Sequence, residues 1–383
     1  ISHPEIEEFM VMRKESGGDV NRKCLNLHNA VNITNAFLKA VEEDDDWRLI
    51  DPKTKEAVKI IKARELWSKL LDARAETGEP YIVNLDNCND ALPQGQKNLG
   101  LEIKQSNLCS EITLPTNDER TAVCCLSSVN LEHFDDWSED KQFIADLVTM
   151  LDNVLEHFIE NAIDINNFGG YNANYERFKK HIEEGKEGFT KSAYSAYRER
   201  SIGLGAMGFH SYLQAHNIPF EGIYATGFNH KAFKHIKNSA IKASKEIAKD
   251  RGEAPDISGS ALRNAHLLAV APNASSSIIC GGTSPSIEPI RANVFTHKTL
   301  SGSYKVKNKN LEKLINKKVD DANKRKKLWQ QISDDRGSIQ NIKIFTDEEK
   351  ELFKTADEIN QIWVVEHAYK RQEFICQSQS VNL

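Results

Sequence analysis

No stretch of this chain approaches 18 consecutive apolar residues, which excludes a hydrophobic membrane-spanning helix. The basic excess that marks nucleic-acid binders is also missing: 50 Lys and Arg stand against 56 Asp and Glu, a net charge of −6. The opening Ile-Ser-His-Pro-Glu has neither the charged nor the apolar region of a secretory signal. It lacks an initiator Met, so the expectation is a processed chain or one cut from something longer. Paired cysteine spacings are lacking too. The seven cysteines (Cys24, Cys88, Cys109, Cys124, Cys125, Cys280 and Cys376) are odd in number and contain no C-x-x-C. That pattern argues against a disulfide framework and structural zinc, and suits free thiols in a reducing cytoplasm. The histidines give no metal set: neither His210 with His216 nor His230 with His235 has i, i+4 spacing. The sequence therefore leads us to expect no metal ligated by this chain.

What is present is enough for a large core: 383 residues, 39% of them hydrophobic. The length alone fits two or three domains, or one large α/β domain. Periodicity predicts a short amphipathic helix in 4–16, an extended run at 25–33 and a helix after Thr34. A strong helix is expected over 57–77, stopped by Gly78, then a strand at 81–84 and a polar loop over 86–106. Two β-type runs follow at 107–114 and 122–130, and then a long helix at 140–163. The polar stretch 166–190 reads as an exposed excursion. Helices are predicted at 206–216 and 228–250, a strand at 267–270, and one final helix from about 347 towards 374. The lysine-rich 305–327 segment is interleaved with acids and reads as a solvated surface. Strands alternating with long helices argue an α/β fold with parallel elements.

Three segments could carry chemistry. In Ser106-Asn107-Leu108-Cys109-Ser110-Glu111, strand alternation would put Asn107, Cys109 and Glu111 on one face, with Leu108 on the other. An amide, a thiol and a carboxylate side by side supply an orienting group, a redox or nucleophilic atom and a general base. The competing reading is a packed cysteine with polar neighbours at a strand rim. In the second segment, Cys124 and Cys125 are adjacent and would point oppositely, so one is expected to be active and the other packed. In the third, Ala271-Pro272-Asn273-Ala274-Ser275-Ser276-Ser277, a strand ends where free backbone N–H groups and hydroxyls could cradle a phosphate. Ordinary N-capping by Asn273 or Ser275 is the alternative. Gly203-Leu204-Gly205-Ala206-Met207-Gly208 fits G-x-G-x-x-G. However, charged residues precede it and no second strand brings an acid, so a close-packed helix start is preferred to a dinucleotide site.

Together these segments resemble the large, catalytic subunit of class I ribonucleotide reductase. The likeness is carried by 105–116 (QSNLCSEITLPT), 122–131 (AVCCLSSVNL), 200–209 (RSIGLGAMGF) and 271–291 (APNASSSIICGGTSPSIEPIR). Weaker similarity lies at 77–89 and 2–13, so nearly the whole chain is covered in order. The resemblance implies a ten-stranded α/β barrel around a loop carrying the radical cysteine, incomplete here at both ends. It implies a single catalytic barrel domain over 1–383, without the upstream specificity region and ATP cone. Cys109 would be the thiyl site, Glu111 the proton acceptor and Asn107 the orienting group, with Leu108 and Ser110 also against the substrate. Cys124 would be one member of the redox pair. Pro272, Asn273, Ala274, Ser275 and Ser276 would hold the diphosphate.

The implied partners are ribonucleoside diphosphates, a metal-containing small subunit that supplies the radical, and thioredoxin or glutaredoxin as external dithiol reductant. A complementary large-subunit polypeptide would carry the segments not matched here, because the upstream redox cysteine and the C-terminal tyrosine pair have no counterpart. Tyr369 does not match that pair. No nucleic-acid or membrane partner and no directly bound cofactor is implied. The alternatives are an adenosylcobalamin-dependent reductase, which shares the glycine-rich string, and a scaffold fragment without activity of its own.

Overall fold

The computed structural model describes residues 1–162, 190–300 and 302–383, and the excursion expected at 166–190 lies outside these but for Thr190. The chain divides into two compact units, Ile1–Asp118 and Glu119–Leu383. In the first, α1 (Ile6–Val11) precedes β1 (Ala30–Ile33), and the Thr34 hydroxyl accepts from Phe37 N at 3.2 Å to open α2 (Asn35–Glu43). The helix expected over 57–77 is in fact two elements. β-Branched Val58, Ile60 and Ile61 form β3 (Ala57–Lys62), antiparallel to β2 (Asp46–Ile50), because such side chains favour a pleated surface. The turn between them is built on Asp51, whose carboxylate accepts from Lys53 N and Thr54 N at 2.8 and 2.9 Å. Only then does α3 (Ala63–Thr77) begin, ending at left-handed Gly78.

β4 (Tyr81–Asn84) pairs in parallel with β1. Two short helices, α4 (Leu85–Asp90) and α5 (Gln94–Asn98), occupy the stretch expected to be loop. Asn89 ties this stretch to the chain beyond it, donating to Ile103 O at 2.9 Å and accepting from Ile103 N at 2.8 Å. Phe37, Leu49, Leu66 and Leu70 are fully buried at the centre of this unit's core.

The second unit is built on β5 (Leu126–Asn130) and β6 (Gly203–Met207), which are parallel. Ile202 N and Leu204 N then donate to His266 O and Leu267 O, and Val270 forms a parallel bridge with Gln379. Four extended segments thus lie side by side. The helices α6 (Phe134–Trp137), α7 (Phe143–Ala162), α8 (Lys191–Glu199), α9 (Phe209–Ala215) and α10 (Ile223–Arg251) supply most of the apolar side chains that bury them. The glycine-rich string is therefore a strand followed by a helix rather than a helix start. All five residues of β6 are buried.

After α11 (Ala274–Ile279), the antiparallel hairpin of β7 (Val294–Thr299) and β8 (Gly302–Lys307) leads into α12 (Lys309–Lys318) and α13 (Ala322–Asp334). The final helix expected from 347 is interrupted. α14 (Asp347–Leu352) ends, and α15 (Gln361–Gln372) restarts where Asn360 Oδ1 accepts from Ile362 N at 3.0 Å. Among the described residues the eight strands form four two-stranded sheets, two of them parallel, and no sheet closes into a barrel.

Gly205 shows why β6 needs glycine: a Cβ there would lie 2.6 Å from Ala269 O and 3.2 Å from Val270 Cα. Replacing Gly205 by Ala forces apart two backbones in a packed core, a change that costs about 1–3 kcal/mol. Chemical denaturation should register it as a lower midpoint; a midpoint equal to the parent's would contradict the packing described.

Candidate functional site

Asn107 organises the first group of residues. Its main-chain N–H donates to Ile112 O at 3.2 Å, its side-chain Oδ1 accepts from Ile112 N at 3.1 Å, and its carbonyl accepts from Ser110 N at 3.2 Å. These bonds close a tight turn instead of the strand read from the alternation, and the Cβ directions of Asn107, Cys109 and Glu111 are set by that turn. Ser110 takes the left-handed conformation at φ 70°, which reverses the chain between Cys109 and Glu111. Leu108 projects at the tip, 60% exposed, while Cys109 is half-buried and Glu111 is buried.

Burial dominates the electrostatics here. The Glu111 carboxyl is held above its usual range by desolvation, with its own backbone and the Asn107 amide pulling the other way. Its Oε2 and the Ser110 hydroxyl are both buried without a hydrogen-bond partner. The Cys109 thiol is pushed up by burial first and by the Glu111 charge second, which keeps it as S–H rather than thiolate. Such a pair offers a hydrogen atom on sulfur next to a carboxyl that can accept a proton from a bound hydroxyl.

Sequence reasoning missed Tyr81 at the start of β4. Its phenol is raised by burial, then by Glu79 and by Cys109, so it shares the electrostatic environment of the thiol. Its ring stacks on His28 at 6.4 Å between centroids, and His28 is hydrogen-bonded to Glu79. No spacing in the sequence links these residues; the β1–β4 pairing does.

The other candidates lie in the second unit. Cys125 is buried with its sulfur 3.6 Å from Leu151 O, and burial pushes its thiol up to about 11. Cys124 is the exposed member of the pair. The chain entering this pair is pinned by a buried ion cluster that sequence reading did not find. Arg120 binds Asp256 through two contacts at 2.5 and 2.9 Å, and Arg198 Nε reaches the same carboxylate at 2.9 Å. Breaking a buried pair of this kind costs about 3–5 kcal/mol, so the approach to Cys124 is rigidly set.

Pro272 to Ser276 follow the segment 267–270 and lead into α11. Asn273 is buried and donates to Ala271 O at 2.8 Å and Ala206 O at 3.4 Å. It makes no side-chain cap on α11, while Pro272, Ala274, Ser275 and Ser276 are exposed. No side chain caps the first-turn amides of α11. Among the described residues, no group of three or more His, Cys, Asp or Glu could hold a metal ion, and no helix is long and apolar enough to cross a membrane.

Residues 1–262 and 254–383 match the family described as "Ribonucleotide reductase, barrel domain". A ribonucleoside-diphosphate reductase large subunit from Invertebrate iridescent virus 3 is 41% identical over the whole chain, which covers 66% of that relative. A putative large subunit of the same enzyme from Frog virus 3 is 44% identical, with 100% of this chain and 63% of the relative aligned. The class Id ribonucleotide reductase alpha subunit of Actinobacillus ureae superposes with a TM-score of 0.77 at 34% identity, covering 98% of this chain and 62% of its own. The chain thus spans about two thirds of the length of these relatives.

Removing the Glu111 charge by Glu111→Gln should lower the pH midpoint for alkylation of Cys109 by iodoacetamide, because a charge that disfavours the thiolate is gone. Peptide mapping would follow Cys109 alone. An unchanged or higher midpoint would show that the carboxylate does not act on the sulfur.

Proposed function

The chain belongs to the ribonucleotide reductase barrel-domain family, and we propose that it forms the catalytic segment of a class I ribonucleoside-diphosphate reductase, converting ribonucleotides to deoxyribonucleotides. The observation that carries this reading is the Asn107–Ile112 turn, which presents a protonated thiol beside a desolvated carboxyl. On this reading residues 1–383 belong to one catalytic domain, a ten-stranded α/β barrel in the full-length subunit.

A thiyl radical on Cys109 takes the 3′-hydrogen of the ribose, giving S–H and a carbon radical. Glu111 accepts the 3′-hydroxyl proton, for which its unpartnered Oε2 is suited. Asn107 orients the sugar hydroxyls, and Leu108 and Ser110 border the ribose. The 2′-hydroxyl leaves as water with one proton from the redox thiols. Cys124 and a second thiol give C2′ the other hydrogen and become a disulfide, and the Cys109 S–H returns its hydrogen to C3′, which regenerates the thiyl. Thioredoxin or glutaredoxin restores that pair by exchange after each turnover. Pro272, Asn273, Ala274, Ser275 and Ser276 hold the diphosphate, and the binding energy of that remote group helps to orient the sugar.

The radical itself is supplied by a metal-containing small subunit. A complementary large-subunit polypeptide that supplies the second redox thiol is a further partner on this reading. A cytoplasmic location would keep these thiols reduced.

Reconstitution with a complementary polypeptide, a small subunit and a dithiol reductant should yield deoxyribonucleoside diphosphate. Cys109→Ser should reduce turnover to background while leaving nucleotide binding intact. Cys124→Ser should be severe and Cys125→Ser mild. Full turnover by the Cys109 variant would refute the radical assignment, and the reverse order for Cys124 and Cys125 would mean the packed thiol is the redox one.

A further inference from the structure

The segment that carries Pro272–Ser276 is short and mostly exposed. α11 has six residues, too few for a stable helix in isolation, and Asn273 and Ser277 are its buried anchors. It is closed by Gly281 and Gly282, both left-handed at φ 87° and 71°, where Gly282 N donates to Ser277 O at 2.9 Å and to Ile278 O at 3.1 Å. What lies against that pair is Lys309. A Cβ on Gly281 or Gly282 would stand 3.5 Å from Lys309 Nζ or 3.7 Å from Lys309 Cε, respectively.

Lys309 is itself held firmly. Asn308 caps α12 through Asn310 N and Leu311 N, and its amide donates to Gln214 Oε1 at 2.9 Å and Asn293 Oδ1 at 2.8 Å. Asn310 adds a bond to Ser211 O at 3.1 Å, so the start of α12 is tied to α9. From there the lysine reaches towards Glu132, just beyond the carboxyl end of β5. The Glu132 side chain is 12% exposed, its Oε2 has no hydrogen-bond partner, and Lys309 Nζ lies 4.0 Å away. A carboxylate this buried needs a counter-charge.

We propose that Lys309 is a positioning residue for nucleotide binding: by spanning from α12 across Gly281–Gly282 to Glu132, it fixes the segment that presents Pro272–Ser276. This rests on the assignment of those residues to the diphosphate. The lysine acts through the segment and not by touching substrate. Its loss loosens the glycine cap that closes α11 and leaves the Glu132 charge uncompensated. Both effects weaken binding of the diphosphate in particular.

Calorimetric titration of the full chain with cytidine diphosphate and with cytidine tests this. Lys309→Met should weaken cytidine diphosphate binding about two- to fivefold, the scale of a partly exposed charge pair, and leave cytidine binding unchanged. Lys309→Arg should restore the parent affinity. Adding Glu132→Gln to Lys309→Met should recover part of the loss, since the two act as a pair. Amide hydrogen exchange across 277–283 should accelerate in Lys309→Met with no ligand present. Unchanged exchange, or equal loss for cytidine and its diphosphate, overturns the proposal. If Ser275→Ala with Ser276→Ala leaves diphosphate binding intact, the diphosphate assignment fails, and the exchange measurement still decides whether Lys309 fixes the segment.

Discussion

Everything proposed for this chain's chemistry depends on Asn107 closing a turn on Ile112 with both its main chain and its side chain. Those bonds place Cys109 half-buried in the turn, send Ser110 left-handed and return Glu111 to a buried position. A strand would have left the thiol and the carboxyl two residues apart on a flat face. The turn brings their charges into mutual influence, and burial then sets the sign for both groups: the thiol keeps its proton and the carboxyl is disposed to take one. Hydrogen-atom transfer needs such an S–H, whereas nucleophilic catalysis would need the thiolate.

The second unit contributes rigidity of a different origin. Its four adjoining extended segments approach so closely that β6 has no room for a Cβ at Gly205, and the charges beside them are paired and buried, not solvated. Asp256 holds Arg120 and Arg198, and Asp152 holds Arg251 and Arg263 at 2.7 and 3.1 Å. Such clusters add little net stability compared with apolar packing, but breaking one is costly, so they fix geometry. They fix the chain that enters Cys124, while Pro272, Ala274, Ser275 and Ser276 stay exposed.

Elements governed by local chemistry were legible from the sequence. Thr34 opens α2, Gly78 closes α3, and Tyr81–Asn84 is the strand its composition indicated. The errors arose where a longer-range partner or one side chain overrode periodicity. Val58, Ile60 and Ile61 fit a helical stripe equally well, but β2 and the Asp51 turn make them a strand. The last helix breaks because Asn360 offers a cap within a run that otherwise reads as continuous. At the site, residue types and order were legible, and their geometry was not. Asn107 competes for the backbone as short amides do, and that bond cannot be read from alternation. Tyr81 and the Arg120–Asp256 pair depend on contacts between segments far apart in sequence.

The proposed function rests on one event: transfer of the ribose 3′-hydrogen to the Cys109 sulfur. Comparing turnover of a 3′-deuterated ribonucleoside diphosphate with the unlabelled compound, in the reconstituted complex, tests that event directly. A slower rate for the deuterated substrate is the predicted result. Equal rates under conditions where chemistry limits turnover would contradict the account.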